Sequence, residues 1–313
     1  MNNKQTPPTI VGAGLAGLMA AHAWPTARVL EAAPRPTSAH KALLRFRSDA
    51  VAKLVGVEFR KVRVRKGIWV HGRLVAPNIR VANLYAQKVT GALNGDRSIW
   101  NLDAVDRFIA PDDLHEQLLD AVGSRITWGE AVHFGELPKS ARIVNTAPLP
   151  VVLKSLKIVL PEQPAFDRSA IVVRRWKIPR CDVFQTIYFP EPYFGVYRAS
   201  ITGDLLIAEF VHSPDSQDAL SEIAAAFGLD AVELKNDWVE LPRVEQKYGK
   251  IQPLPDQLRK EILFRLTHEY AIYSLGRFGT WRNCLLDDVA NDITVIKRLL
   301  RDNSAYELRR AAS

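Results

Sequence analysis

Cysteine is scarce in this sequence, and no long apolar run occurs. The 313 residues contain two cysteines, Cys181 and Cys284, which lie outside any Cys-x-x-Cys or Cys/His pattern. This spacing predicts neither a disulfide framework nor a structural zinc site. The histidines also lack metal-ligand spacing and are assigned no catalytic role; they are His22, His40, His71, His115, His133, His212 and His268.

No segment approaches the roughly 18 consecutive uncharged apolar residues that a membrane span requires. The first nine residues are polar and include two prolines, which is not typical of a secretion signal. Apolar residues make up 47% of the chain and charged residues 24%, as in ordinary folded proteins. We therefore expect a folded cytoplasmic protein without a membrane partner.

Acidic residues are too few to balance the basic ones. The 42 Lys and Arg against 34 Asp and Glu give a net charge of +8, which favours anionic partners. The segment 45–80 contributes ten basic and two acidic residues. Exposed charge is common on solvated strands, but the same segment is also suited to phosphate binding, for which the candidates are Arg60, Lys61 and Arg63.

A glycine pattern near the amino terminus follows a short β-branched strand. Thr9, Ile10 and Val11 lead into the hexapeptide 12–17, whose sequence Gly-Ala-Gly-Leu-Ala-Gly fits the GxGxxG pattern, and a helix is predicted after it. Such glycines allow a tight turn, close approach of a pyrophosphate and close helix packing. The alternative is a tight turn without a ligand. The predicted cofactor contacts here are Gly12, Gly14, Leu15, Ala16 and Gly17.

An acidic residue lies at the offset expected for a ribose contact. A second strand at 28–30 ends at Glu31, which is 19 positions after Gly12. Glu31, followed by Ala32, argues against a 2′-phosphate and favours FAD or NAD over NADP. After Ala32 the alternation of strands and helices expected for an NAD dehydrogenase stops, and a loop with prolines and arginines follows. This break favours FAD.

A second glycine turn lies near the other end of the chain. A buried strand at 270–275 precedes Gly276-Arg277-Phe278-Gly279, and a helix with apolar residues at three- and four-residue intervals begins near Asp287 and Asp288. Either aspartate could cap the free amides of that helix.

The segment 276–288 resembles the carboxy-terminal flavin motif of UDP-galactopyranose mutases and of the protoporphyrinogen- and amine-oxidase-like flavoproteins. The strand and Thr-x-Pro segment at 141–150 is similar to their return to the Rossmann sheet. The resemblance implies an α/β fold, with a Rossmann-like FAD-binding domain from residues 1–48, 135–155 and 265–313. An inserted α+β substrate domain with an antiparallel sheet would comprise 49–134 and 156–264.

The resemblance also implies which residues contact the flavin and the substrate. The carboxy-terminal motif would lie against the flavin, and aromatic side chains would line a substrate pocket. The implied cofactor contacts are Arg45, Gly276, Arg277, Trp281, Asp287 and Asp288; the substrate-pocket candidates are Trp281, Tyr188 and Tyr197.

Three hypotheses about function remain. The chain length, the basic pI and the segments 44–48 and 59–62 are similar to those of phage-encoded flavoproteins, which implies FAD-dependent oxidation of a C–N bond. The substrate would be an amino-acid substituent on a large anion, such as glycyl-modified thymidine in double-stranded DNA, giving aminomethyl-deoxyuridine. The second hypothesis is a UDP-galactopyranose mutase-like isomerase, with Arg174 or Arg198 pairing with a diphosphate. The third is a non-catalytic FAD-binding module.

Overall fold

The computed structural model describes residues 7–36, 44–93, 99–138, 141–160, 164–211, 217–230, 232 and 238–311, with only the backbone for 217, 218, 247, 248 and 303–311. His40 and His212 lie outside the described residues. The described strands are β1 (Thr9–Val11), β2 (Val29–Glu31), β3 (Arg45–Phe46), β4 (Arg60–Val70), β5 (Arg73–Leu74), β6 (Val105–Ile109), β7 (Ile126–Trp128), β8 (Ile143–Asn145), β9 (Arg168–Lys177), β10 (Val183–Tyr188), β11 (Val196–Gly203), β12 (Leu205–Phe210), β13 (Val239–Ile251) and β14 (Ile272–Ser274).

Helices alternate with these strands in the amino-terminal part of the chain and close its carboxy-terminal end. The described helices are α1 (Leu15–Ala23), α2 (Ala50–Val55), α3 (Ile79–Thr90), α4 (Leu114–Val122), α5 (Leu149–Ser155), α6 (Gln217–Phe227), α7 (Asp256–Tyr270), α8 (Gly276–Thr280) and α9 (Leu286–Ala311). None of the described helices is long and apolar enough to span a membrane.

The chain divides into two compact units. The first comprises residues 1–60, 108–166 and 252–313, and the second comprises 61–107 and 167–251. The first unit contains a five-stranded parallel sheet with the order β14-β8-β1-β2-β7. Its inner strand residues Ile10, Val29 and Val144 are fully buried, as expected for a parallel sheet. Residues of α1, α2, α4 and α9 pack into the same core.

The division of the chain differs from the predicted boundaries. The first segment of the predicted substrate domain, 49–134, includes β7, whereas β7 pairs in parallel with β2 through Val29 and Ile126. The second predicted segment, 156–264, includes the beginning of α7, whereas all of α7 lies in the first unit. β7 has three residues and no clear alternation, so its sheet partner is fixed by tertiary packing rather than by local sequence.

The second unit is built around a larger sheet. Its strands follow the order β13-β9-β12-β11-β10-β4, and all of these neighbours are antiparallel except β10 and β4, which are parallel. One sheet face packs against α6 and the other against α3. The expected fold class, a Rossmann-like α/β part with an inserted sheet, is confirmed, and the inserted sheet is mixed rather than wholly antiparallel.

Candidate functional site

The glycine loop after β1 is packed so closely that Gly12 and Gly17 have no room for a side chain. Gly12 has φ +98°, a conformation that favours glycine, and a Cβ built on it would lie 2.3 Å from the Thr146 hydroxyl oxygen. A Cβ built on Gly17 would lie 1.8 Å from the Gly12 carbonyl oxygen. Thr146 is held against the loop by a hydrogen bond from its hydroxyl to the Val11 carbonyl at 2.7 Å. These contacts explain why both positions are glycine.

The first turn of α1 is open to an anion. The helix begins at Leu15, three residues earlier than the sequence predicts, with Gly14 as the N-cap and no side-chain cap bond among the described residues. A Cβ built on Gly14 would meet nothing within 4 Å, and Gly14 is exposed. Free amides at a helix start attract negative charge through their hydrogen atoms and the helix dipole. Leu15, Ala16 and Gly17 therefore offer backbone amides of the kind that bind phosphate.

Glu31 connects the end of β2 to the glycine loop. One carboxylate oxygen accepts from the Ala13 amide at 2.6 Å, and the other accepts from the Ala33 amide at 2.9 Å. A carboxylate has about four acceptor positions, so these two bonds orient Glu31 and leave capacity for a ribose hydroxyl. The sequence predicted the ribose contact but not the bond to Ala13. Ala32 lies next to this carboxylate and is exposed.

The carboxy-terminal glycine turn packs against the amino-terminal one. Gly276, with φ +77°, lies so close to α1 that a Cβ on it would be 3.0 Å from the Ala16 Cβ. A Cβ on Gly279 would be 2.6 Å from the Asn145 carbonyl oxygen. The two glycine motifs, separated by about 260 positions in the chain, are therefore adjacent within the first unit.

The two aspartates at the start of α9 have different contacts. Asp288 accepts from the Leu285 amide at 2.7 Å and caps the helix, as predicted. Asp287 is buried and instead accepts from the backbone amides of Arg47 and Ser48, at 3.0 and 2.9 Å, and from the Ser48 hydroxyl at 3.0 Å. The capping role is therefore filled by Asp288, and Asp287 holds the loop that follows β3.

Arg45 and Arg277 are the basic residues predicted near the cofactor. Arg45 lies in β3, pairs with Ile109 of β6 and is half-buried. Arg277 lies in α8 and is also half-buried. Nearby, burial raises the pKa of the Cys284 thiol to about 11. The Cys284 thiol is therefore protonated at neutral pH and is not a reactive nucleophile.

Trp281 is fully buried in the first unit. Its indole nitrogen donates to the Gln252 carbonyl at 3.0 Å, and its ring packs edge-on against Phe166, with 5.1 Å between ring centroids. These contacts are those of a packing residue with a satisfied N–H group. The substrate contact inferred for Trp281 stays a prediction.

The second unit contains a half-buried ion pair beside Tyr197. The Arg198 guanidinium donates to both carboxylate oxygens of Glu209, and the Tyr197 hydroxyl donates to one of them at 2.9 Å. Burial alone would raise the pKa of Glu209, but the Arg198 guanidinium outweighs it and lowers this pKa to about 2. Burial, followed by the Glu209 charge, raises the pKa of Tyr197 well above its usual value. Glu209 was not singled out from the sequence, because only the register of β11 and β12 brings it to Arg198.

The remaining predicted substrate residues occupy different environments. Tyr188 is half-buried and packs edge-on against Tyr85, with 5.4 Å between ring centroids. Arg174 is buried and donates to both oxygens of Glu240 at 2.8 Å. The residues of the predicted phosphate-binding segment lie exposed at the start of β4; they are Arg60, Lys61 and Arg63.

In the described part of the chain, no group of three or more His, Cys, Asp or Glu side chains is placed to hold a metal ion. The residues do fit a dinucleotide. An exposed, uncapped helix start, glycines whose Cβ atoms would collide with backbone, and an oriented carboxylate at the end of β2 lie together in the first unit.

Comparison with known proteins gives structural matches only. No protein-family model matches the chain, and no curated protein matches its sequence. Among solved structures, a reduced UDP-galactopyranose mutase is 15% identical with a TM-score of 0.58, covering 94% of this chain and 96% of the mutase. An oxidoreductase from Methanosarcina mazei is 8% identical, with a TM-score of 0.55 and coverage of 94% and 100%.

A third match is Klebsiella pneumoniae HpxO, whose structure is a complex with FAD and uric acid. It is 15% identical, with a TM-score of 0.55, covering 94% of this chain and 79% of HpxO. These similarities extend over nearly the whole chain. They establish that the protein shares its fold with these proteins.

Proposed function

We propose that the protein is a FAD-dependent oxidoreductase. The observation that carries the proposal is the open first turn of α1 beside Glu31, because it pairs phosphate-binding amides with an oriented ribose acceptor. The shared fold with a structure complexed with FAD supports the choice of FAD. When bound, FAD supplies a two-electron acceptor.

The chain's own residues bind and orient that cofactor in this proposal. Backbone amides of the glycine loop hold the pyrophosphate, and Glu31 accepts from a ribose hydroxyl. Residues of the β3 and carboxy-terminal segments are proposed to complete the cofactor site. The full set is Gly12, Gly14, Leu15, Ala16, Gly17, Glu31, Ala32, Arg45, Gly276, Arg277, Trp281, Asp287 and Asp288.

For the reaction, we propose oxidation of a C–N bond in an amino-acid substituent on a large anionic substrate. A neutral secondary amine loses two electrons and two protons to become an imine, with bound FAD as the two-electron acceptor, and water then splits the imine into an amine and a carbonyl product. For an N-linked glycyl group on thymidine, the products would be glyoxylate and aminomethyl-deoxyuridine. Candidate substrate contacts are Tyr188, Tyr197 and Trp281.

A mutase-like isomerisation of a UDP-sugar is the second candidate. It is favoured by the similarity to UDP-galactopyranose mutase, which covers almost the full length of both chains. The two arginines suggested for diphosphate binding, Arg174 and Arg198, are each already paired with a carboxylate. A diphosphate would have to replace Glu240 or Glu209, which counts against this candidate.

Flavin content tests the cofactor proposal. Purified protein should be yellow and should release FAD on denaturation. Gly14→Asp should abolish flavin binding, because its side chain and charge would face the pyrophosphate, whereas Gly14→Ala should retain most of it, since a Cβ there meets nothing within 4 Å. Both variants should fold. FAD retained at the wild-type level by Gly14→Asp would refute the proposed site.

Anaerobic mixing with candidate substrates tests the reaction. DNA carrying glycyl-thymidine, free amino acids and UDP-galactofuranose would be added separately while the visible flavin absorbance is recorded. Bleaching by an amine substrate alone is the expected result for C–N oxidation. Turnover of the UDP-sugar by the reduced protein, without oxygen consumption, would instead favour the isomerase. FAD binding without reduction by any substrate would favour a non-catalytic module.

A further inference from the structure

The start of β4 presents a line of positive charge to solvent. Lys61, Arg63 and Arg65 alternate with the buried residues Val62 and Val64, so the three basic side chains project from one sheet face. Successive side chains on one face of a strand are about 7 Å apart, and the three therefore extend over about 13 Å. We call these three residues the basic strip.

One carboxylate serves two members of the basic strip. Asp106 in β6 lies 2.9 Å from the Lys61 ammonium and 2.9 Å from the Arg63 guanidinium. Hydrogen bonds from these two groups lower the pKa of Asp106, which keeps it charged. All three side chains are exposed, with 60%, 64% and 42% of the side-chain surface accessible for Lys61, Arg63 and Asp106. Exposed ion pairs of this kind exchange readily for other partners.

Positive charge remains in excess around Lys61, Arg63 and Asp106. The Arg65 backbone pairs with Gln185 of β10, but its side chain makes no hydrogen bond or ion pair within the part of the chain that the structure describes. Burial and the nearby Arg107 guanidinium both lower the pKa of Lys66, the next residue along the strand. The segment 61–107 contains nine Lys and Arg against three Asp and Glu, whereas the other segment of the second unit, 167–251, contains more acidic than basic residues.

The geometry of the basic strip selects among anions. A single carboxylate or a diphosphate is too short to contact three cations spread over about 13 Å. A nucleic-acid strand presents phosphates at regular intervals and can contact all three. Arginine guanidinium groups suit phosphate oxygens because they can donate two parallel hydrogen bonds. Asp106 occupies the position where a phosphate would otherwise bind Lys61 and Arg63.

We propose that the basic strip binds the phosphate backbone of a nucleic acid, and that Asp106 competes intramolecularly with the phosphates for Lys61 and Arg63. This inference rests on the proposed function and deepens it, because it names the residues that would bind a nucleic-acid substrate. Asp106 thereby sets the affinity: its carboxylate must be displaced by each bound strand, which lowers non-productive binding and speeds release.

Binding of a fluorescein-labelled oligonucleotide to the 313-residue protein, measured by anisotropy at several salt concentrations, tests the proposal. Replacing Lys61, Arg63 and Arg65 together by Gln should weaken binding at least about tenfold and reduce the slope of log affinity against log salt by about 2 to 3. Asp106→Asn should have the opposite effect, with several-fold tighter binding.

Two controls match these changes in charge. Replacing Arg73, Arg80 and Arg180 by Gln removes three exposed positive charges from the same unit away from the basic strip. Asp204→Asn removes an exposed carboxylate paired with Lys177 at 2.8 Å. Both controls should change affinity much less than the test variants. Equal effects of test and control variants would overturn the proposal, because binding would then depend on net charge alone.

Flavin content separates this proposal from the cofactor proposal. All of these variants should retain FAD at the level of the unmodified protein. If the unmodified protein binds FAD but not the oligonucleotide, the proposal that the basic strip binds nucleic acid is refuted and the cofactor proposal stands. If it binds the oligonucleotide with the expected variant effects but holds no FAD, the cofactor proposal alone fails.

Discussion

Gly17 lies so close to Gly12 that a Cβ on Gly17 would be 1.8 Å from the Gly12 carbonyl oxygen. This contact is between two backbones, and neither can move aside without disturbing β1 or α1. The first turn of α1 is held at the end of β1 by this approach. The open amides of that turn depend on it.

Gly17→Ala should therefore damage both the fold and the cofactor site. We expect a loss of at least about 3 kcal/mol in the free energy of unfolding, because the added methyl group overlaps backbone atoms. Chemical denaturation and flavin content would measure the two effects. Gly14→Ala is the matched control, and a Gly17→Ala protein as stable as Gly14→Ala would contradict the close packing.

Asp287→Asn should destabilise the loop after β3. One carboxylate oxygen accepts from the amides of Arg47 and Ser48 and from the Ser48 hydroxyl, and the other accepts from the Arg47 amide. Asn removes the negative charge and places an NH2 group against the Arg47 amide, which should cost about 1 to 3 kcal/mol. Hydrogen exchange should show faster exchange at residues 47 and 48. Asp288→Asn, which affects only the cap of α9, should leave exchange at these two amides unchanged.

The sequence predicted the elements that arise from local spacing, which are the glycine turn and the second strand, and missed the contacts made by distant residues. The glycine loop and Glu31 lie within 20 positions of each other, and the tight turn and second strand follow from pattern alone. Asp287 is 240 positions from Arg47, so its role in holding that loop has no local signal. The role of Glu209 also has no local sequence signal, since Glu209 meets Arg198 only through the register of β11 and β12.

Trp281→Phe distinguishes packing from substrate contact. The indole donates to the Gln252 carbonyl and packs against Phe166, so its replacement should cost about 1 to 3 kcal/mol and lower the melting temperature. A lower melting temperature with an unchanged rate of flavin bleaching by substrate would show that Trp281 is a packing residue only. An unchanged melting temperature combined with slower bleaching would instead support the predicted substrate contact.

Glu209 should make stability depend on pH in the acid range. Its pKa is lowered to about 2 in the folded protein, against about 4.3 in an unfolded chain. A lowered carboxylate pKa stabilises the folded state fully above the unfolded value, and this stabilisation is lost as the pH falls from about 4.3 to about 2. A shift of this size corresponds to about 3 kcal/mol.

Glu209→Gln tests this assignment through denaturant unfolding at a series of pH values. The variant should be less stable at pH 7 by about 1 to 3 kcal/mol, because Arg198, whose side chain is 36% exposed, loses its charged partner. Between about pH 4.3 and 2 its stability should fall less steeply than that of the unmodified protein. Asp204→Asn removes an exposed carboxylate and should leave the acid limb almost unchanged. If Glu209→Gln and the unmodified protein show parallel acid limbs, the Arg198–Glu209 pair does not govern acid stability, and other carboxylates must do so.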